Sequence, residues 1–317
     1  IDREDVVVSM THFGYVKRLP VTEYKTQHRG GKGVTAHKPK EEDFVETMLT
    51  TCTHDDLLFF TNKGRVYCIK AYEVPEAAKS ARGRAIVNLL SLGEGETVSA
   101  VIPVKEGERN KGNLMMATRE GLIKKTPMTQ FENIRKGGKI AIALGEGDEL
   151  ISVQLTGGRD EILLASSSGK CIRFSEDDVR PMGRDTMGVR SIRLDEGEVV
   201  VDMTVVYPGC EVLTVSQFGY GKRTDIDEYR LQTRGGKGVK AGVFNEQTGK
   251  LVNLKLVDPD EDVMIIADNG TIIRMRAREI SKISRDTRGV RLMKVKGVGQ
   301  VVCVAKAAPY EEEEEGG

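Results

Sequence analysis

The sequence predicts an all-β fold, a six-bladed, propeller-like ring of four-stranded blades, on three observations. A short apolar run, a polar turn and a glycine recur at Gly14, Gly64, Gly121, Gly169, Gly219 and Gly270, at intervals of 50, 57, 48, 50 and 51 residues. Each interval holds four β-rich runs, and helical periodicity is weak throughout. Repetition at this period, with four strands per unit, is the signature of blades stacked in a ring. Six units fill the chain, so residues 1–310 are expected to form one domain, with blades starting near residues 6, 57, 114, 162, 212 and 263.

Within each unit the first strand is an apolar run such as Val6-Val7-Val8, Leu57-Leu58-Phe59-Phe60 or Val263-Met264-Ile265-Ile266. The turn is clearest at Asp268-Asn269-Gly270, where Asn-Gly favours a two-residue hairpin. The second strand alternates polar and apolar, as in Lys170-Cys171-Ile172-Arg173-Phe174. After a longer loop come a third run, typified by residues 188–194, and a fourth, typified by residues 199–206. Ten residues beyond each turn glycine the position is always apolar: Tyr24, Val74, Phe131, Val179, Tyr229 and Ile280. These are the expected core anchors of the connecting loop.

Lys+Arg and Asp+Glu are equal at 48 each. Five of the acids, however, are Glu311 to Glu315, and setting them aside leaves a body of net charge +5. Residues 311–317 are expected to be a solvated, disordered acidic tail. Cys52, Cys68, Cys171, Cys210 and Cys303 show no Cys-x-x-Cys spacing, which points to reduced thiols, a cytoplasmic setting and no metal site. No apolar run approaches the roughly 18 residues of a membrane span. The first residue is Ile1, so a piece of a longer protein is expected.

One stretch stands out: Gln27-His28-Arg29-Gly30-Gly31-Lys32-Gly33, which returns as Gln232-Thr233-Arg234-Gly235-Gly236-Lys237-Gly238. Paired glycines let backbone N–H groups approach an anion closely, and the flanking Arg and Lys suit phosphate oxygens. A tight surface turn with solvated charges is the competing reading. Counting from the turn glycines extends the pattern. Fifteen residues on, every unit has a base: Arg29, Lys79, Lys136, Arg184, Arg234 and Arg285. Eighteen on, Lys32, Arg82, Lys139, Lys237 and Arg288 follow, with Met187 the exception; nineteen on, all units but one have glycine, Ile140 being the exception. Four on lie Arg18, Lys125, Arg173, Arg223 and Arg274, with Cys68 the exception. Equivalent positions in a ring share an edge, so these bases are expected to form a belt. The acids recur in turns such as residues 92–96, 144–149 and 194–198, expected on a different edge.

Catalytic signatures are missing. No Gly-Lys pair is followed by Ser or Thr as a P-loop needs, and His12, His28, His37 and His54 have no metal-ligand spacing. A cationic belt would instead gain by releasing counterions from duplex phosphates. With aromatics at 5% and no recognition helix, sequence-tolerant backbone contact is expected rather than base stacking. A compact chain of this length has a radius of gyration of roughly 20 Å. Bending about 11 nm of duplex around such a body costs roughly 13 kcal/mol, which one box cannot offset and a belt can. A ring that uses these charges only for solubility, and binds protein, remains the alternative.

The Gln-x-Arg-Gly-Gly-Lys-Gly box in the first unit, with Gly…Arg…Gly-Val repeats of about 50 residues, resembles the C-terminal domain of DNA gyrase A. The resemblance covers essentially the whole chain. At the second box position it has His28 where the family has Arg. It implies a six-bladed β-pinwheel whose blades exchange strands, with duplex DNA wrapped around the rim and secured near Gln27–Gly33. It also implies a non-catalytic, nucleoid-associated part of an ATP-dependent topoisomerase. ATP, Mg²⁺ and the DNA-cleaving tyrosine would then lie elsewhere, in a heterotetramer of the rest of gyrase A with the ATPase, gyrase B. The corresponding C-terminal domain of topoisomerase IV is a related alternative, expected to have fewer blades and a degraded box. A protein-binding propeller of the regulator of chromosome condensation type is a second.

Overall fold

A computed structural model of the chain describes residues 1–24, 43, 45–295 and 299–307. The first box, Gln27 to Gly33, and the acidic segment 311–317 lie outside the described residues.

Six antiparallel sheets follow one another along the chain. The fourth shows the plan: Val200–Val206, Glu161–Ser166, Lys170–Ser175 and Val239–Lys240, in that order from the axis outward. The outermost strand comes from the next unit. Thus Arg84–Ala85 completes the first sheet, Lys139–Ile140 the second, Val189–Arg190 the third and Val290–Arg291 the fifth. Each of the first five blades is therefore clasped by its successor, which accounts for the third run of the second to sixth units. The sixth sheet is described over three strands, Ile272–Arg276, Asp262–Ala267 and Val301–Ala307.

The hairpin between the first two strands is a three-residue loop rather than the two-residue turn expected from Asn-Gly. Ala165 still pairs with Cys171, and Gly169 closes the loop at φ 89°. Gly270 does the same at φ 86°, with Gly270 N–H donating to the Ala267 carbonyl. Only glycine takes that left-handed conformation at no steric cost, hence its strict recurrence.

The core is a set of clusters between blades. In the strand Asp56–Thr61, Leu57 and Phe59 pack into the first blade while Leu58 and Phe60 pack into the third. Both sheet faces are buried, so these strands read as unbroken apolar runs. Val74, Phe131, Val179, Tyr229 and Ile280 are all buried, as expected of loop anchors. The long inner strands neighbour one another from the second blade round to the first. Sixth and first blades meet where the Cys303 thiol donates to the Glu46 carbonyl at 2.9 Å and Met48 packs against Ile266.

Candidate nucleic-acid interface

The donated outer strands and the loops that lead into them form the rim. In the second, fourth, fifth and sixth units the loop leaves its apolar anchor, runs parallel to the preceding blade's second strand, and enters the outer strand through a glycine. At Gly188 and Gly238 a Cβ would stand 2.4 Å from the Ile123 and Cys171 carbonyl oxygens, so the close strand approach itself requires glycine.

The third unit breaks the counting used on the sequence. Its entry glycine is Gly138, not position 140, because the loop after Phe131 is two residues shorter than the loops ending at Gly83, Gly188, Gly238 and Gly289. Lys136 and Lys139 are consequently out of register with the bases of the other blades. Lys139 instead sits in the outer strand itself, paired with Val66.

The bases four residues after the turn glycines are not rim cations. Arg173 donates to Glu161 at 2.8 Å and to the Ile226 and Tyr229 carbonyls. Arg223 is buried, bonded to Glu211 at 2.5 Å and to the Ile280 and Arg278 carbonyls. Arg274 donates to Asp262 at 2.9 Å, Arg18 to the Val74 carbonyl at 2.7 Å, and Lys125 to the Glu176 carbonyl at 3.1 Å. Arg18, Lys125, Arg173 and Arg223 tie the first, third, fourth and fifth blades to the turn of 3₁₀ helix in the following unit, while Arg274 bonds across its own hairpin. The charge repeats because the clasp repeats.

Among the described residues, three of the bases fifteen residues on lie at the rim, as staples. The Arg184, Arg234 and Arg285 Nη1 groups donate to the Ile140, Arg190 and Lys240 carbonyls at 2.9, 2.6 and 2.5 Å, each fixing the outer strand contributed by the unit before its own. Lys79 is half-buried there. Three positions further, Arg82 stacks on the Tyr15 ring at 3.5 Å, Arg288 donates to Gln247 at 2.8 Å, and Lys237 is exposed.

The second box is visible in full. Gly235, at φ 89°, donates its N–H to the Ser191 carbonyl, and the Gly236 carbonyl accepts from Arg193, each at 2.8 Å. The Gln232 N–H donates to the Arg173 carbonyl. The Gly235 amide is therefore spent within the protein and does not face an anion. A Cβ on Gly236 would meet nothing nearer than 3.8 Å, so that backbone stays open to close approach.

Two features escaped the sequence reading. The first is the second outer-strand residue, exposed as Arg190, Lys240 and Arg291, with Arg84 one position earlier in its strand. The Gly-Val-Arg and Gly-Val-Lys triplets carry that signal. The second is a set of buried lysines three residues after the turn glycine in alternate blades: Lys17, Lys124 and Lys222. Each ammonium is caged by backbone carbonyls, chiefly of the next unit's loop: Ala78, Lys79 and Ala81 for Lys17; Arg184 and Thr186, with Ala141 of its own unit, for Lys124; Ser284, Arg285 and Thr287 for Lys222. Burial lowers all three to a pKa of about 8. In the fourth blade the same position is Ile172, whose Cδ1 stands 3.9 Å from where a Gly236 Cβ would be. In the fourth blade a Gly-Gly pair beside an apolar side chain thus stands where the first, third and fifth blades place a lysine beneath the loop.

The acidic turns are anchored inward, by the hairpin turns. Glu198 accepts from the Ser166 and Ser168 hydroxyls and the Asp195 N–H. Burial alone would raise its pKa, but those donors and Lys170 outweigh burial and hold it at about 2. Glu96 is bound in the same way by Thr61, Tyr67 and the Gly93 N–H.

Sheets closed by a neighbour's strand, with cations repeating along the outer edge, define a strand-exchanged, six-bladed propeller with a basic rim. The chain belongs to the family of the DNA gyrase C-terminal domain, beta-propeller, matching it over residues 5–52, 55–105, 112–156, 160–206, 211–258 and 261–302. It is 47% identical over 315 residues to the DNA gyrase A protein of Escherichia coli strain K12, covering 99% of this chain and 36% of that protein. A solved "DNA gyrase A C-terminal domain" superposes with a TM-score of 0.82 at 29% identity, covering 96% of this chain and 99% of that one. The C-terminal domain of DNA topoisomerase IV superposes at 0.78 with 25% identity, covering 97% and 94%. Among the described residues no helix is long and apolar enough to cross a membrane, and no cluster of His, Cys, Asp or Glu could hold a metal ion.

Proposed function

We propose that this ring binds duplex DNA with little regard to sequence and bends it around its outer rim. The observation that carries the reading is the repetition of exposed cations on donated outer strands, Arg84, Arg190, Lys240 and Arg291, with Lys237 and Arg288 beside them. The clasp arrangement gives the first five blades a donated, hydrogen-bonded outer strand, so the cations are held at a spacing set by the ring. Phosphate contacts of this kind fix a duplex in place without reading its bases.

In the longer protein the wrapped duplex would present a segment for strand passage, giving an ATP-dependent type IIA topoisomerase its negative-supercoiling direction. The domain itself would be non-catalytic. ATP, Mg²⁺ and the cleaving tyrosine would be supplied by the remainder of gyrase A and by gyrase B in a heterotetramer, in the bacterial cytoplasm at the nucleoid. First-box residues Gln27, His28, Arg29, Gly30, Gly31, Lys32 and Gly33 would secure the DNA near one end of its path.

A gel-shift titration over salt concentration tests the reading. With six or more phosphate contacts, the slope of log K against log salt is expected to be about −5 or steeper. Absence of duplex binding at low salt overturns it.

A further inference from the structure

The shortened loop of the third unit leaves a cleft on the rim between the second and third blades. Its volume is about 460 Å³, and Arg65, Gln130, Lys139, Arg184 and Asp185 line it. Three cations thus converge against a single carboxylate. Their hydrogen bonds to the protein run to uncharged oxygens. Arg65 Nη2 donates to the Gly137 carbonyl at 2.6 Å, Arg184 Nη1 to the Ile140 carbonyl at 2.9 Å, and Lys139 Nζ to the Gln130 carbonyl at 3.4 Å. Those bonds fix the cations in position without neutralising them. Arg65 also faces the Tyr67 hydroxyl and, more distantly, Glu96. Gly138 and Gly183 contribute walls without side chains.

The chemistry of the lining selects the ligand. Two guanidiniums offer planar paired donors and the ammonium a point charge, the combination that suits phosphate oxygens. Burial, with Arg184 and Arg109 nearby, lowers the pKa of Lys139, as expected of a cation crowded by like charge. An anion entering the cleft relieves that crowding.

We propose that this cleft is a phosphate-binding site that seats either a phosphate of the duplex backbone or that of a free polyanion. The duplex arm rests on the proposed function; the free-anion arm does not. Among the described units, the two-residue shortening of the loop beside this cleft occurs in the third unit alone. The site would act as a fixed point in an otherwise uniform basic track.

Two substitutions with opposite expected signs test it. Lys139→Gln removes the cation with the weakest tie to the fold, and Asp185→Asn removes the opposing carboxylate. Lys105→Gln, on the loop joining Val98–Val104 to Asn113–Thr118, serves as a control of equal charge. In the full chain, Lys139→Gln should weaken duplex binding about tenfold and reduce the salt slope by about 0.9, Asp185→Asn should tighten binding, and Lys105→Gln should do neither. Separately, a titration with inorganic pyrophosphate should shift the amide resonances of Gly138 and Lys139, and should not do so in Lys139→Gln. Pyrophosphate shifts with unchanged duplex slopes would overturn the duplex source and support the free polyanion. A wild-type chain that binds no duplex but shows those shifts would sink the wrapping function and support the cleft. No pyrophosphate shifts, together with Lys139→Gln binding duplex as the Lys105→Gln control does, would overturn the site.

Discussion

Lys222 Nζ lies 2.8 Å from the Thr287 carbonyl oxygen, across the boundary between the fifth blade and the loop of the sixth unit. The ammonium also bonds to the Ser284 and Arg285 carbonyls, so one buried charge organises the loop that presents Arg285 and Arg288 at the rim. Lys17 and Lys124 do the same for the second and fourth units.

Replacing Lys222 by isoleucine, the residue natural to the fourth blade, should therefore fail here. The loop 284–287 has no Gly-Gly pair to settle against an apolar side chain. Its carbonyls would lose their donor, at a cost of about 3 kcal/mol. Urea denaturation measures this; a change below about 0.5 kcal/mol would show that the cage is dispensable.

Acid should destabilise the ring through Glu198. Its folded-state pKa of about 2 lies below the ordinary value of 4.5, so the folded form holds the proton less tightly than the unfolded form. The stabilisation is complete above the unfolded value and is lost as the pH falls from there towards 2. Glu198→Gln should be less stable than the parent at about pH 7, and the gap should narrow by about pH 3. A gap that is constant across this range contradicts the assignment.

The two classes of arginine and lysine should separate cleanly. Arg223→Ala leaves buried Glu211 with only the half-exposed Lys282 ammonium, 3.4 Å away, as its ion-pair partner and should cost about 3 kcal/mol. Lys240→Ala, on the exposed outer strand, should leave the melting temperature nearly unchanged while weakening duplex binding and lowering the salt slope by about 0.9. Calorimetry and anisotropy on the same preparations decide it.

That separation shows what the sequence discloses and what it hides. The turn glycines and apolar anchors announce themselves because a left-handed turn and a buried loop anchor each accept few residue types. Recurrence of arginine is ambiguous, since a repeated fold repeats its internal ion pairs as faithfully as its binding surface. The clue is in the spacing: Glu161, Glu211 and Asp262 each stand twelve residues before Arg173, Arg223 and Arg274, diagonally across a hairpin and two positions from the directly paired Leu163, Leu213 and Met264. Lys136 and Lys139 fall out of alignment for a different reason, since offsets counted from Gly121 slip where the loop loses two residues. Strand donation between units follows from pairing over long sequence separation, on which local periodicity is silent.

The glycines of the second box should also divide by role. Gly238→Ala places a Cβ 2.4 Å from the Cys171 carbonyl oxygen at a φ of 75°, and should destabilise by about 2 kcal/mol or more. Gly236→Ala meets only ordinary van der Waals contacts, at 3.8 Å and beyond, and should fold normally. Any loss of duplex affinity in Gly236→Ala then reports close backbone approach to DNA, read by anisotropy at fixed salt.

The central claim is that the clasped outer strands carry a continuous cationic track that bends a duplex. Relaxing closed circular DNA with a type I topoisomerase in the presence of the chain, then removing protein, reads this directly. A shift of linking number in one direction that grows with protein, and is reduced in a chain carrying both Lys240→Ala and Arg291→Ala, is the predicted result. A distribution unchanged at saturating protein would contradict it.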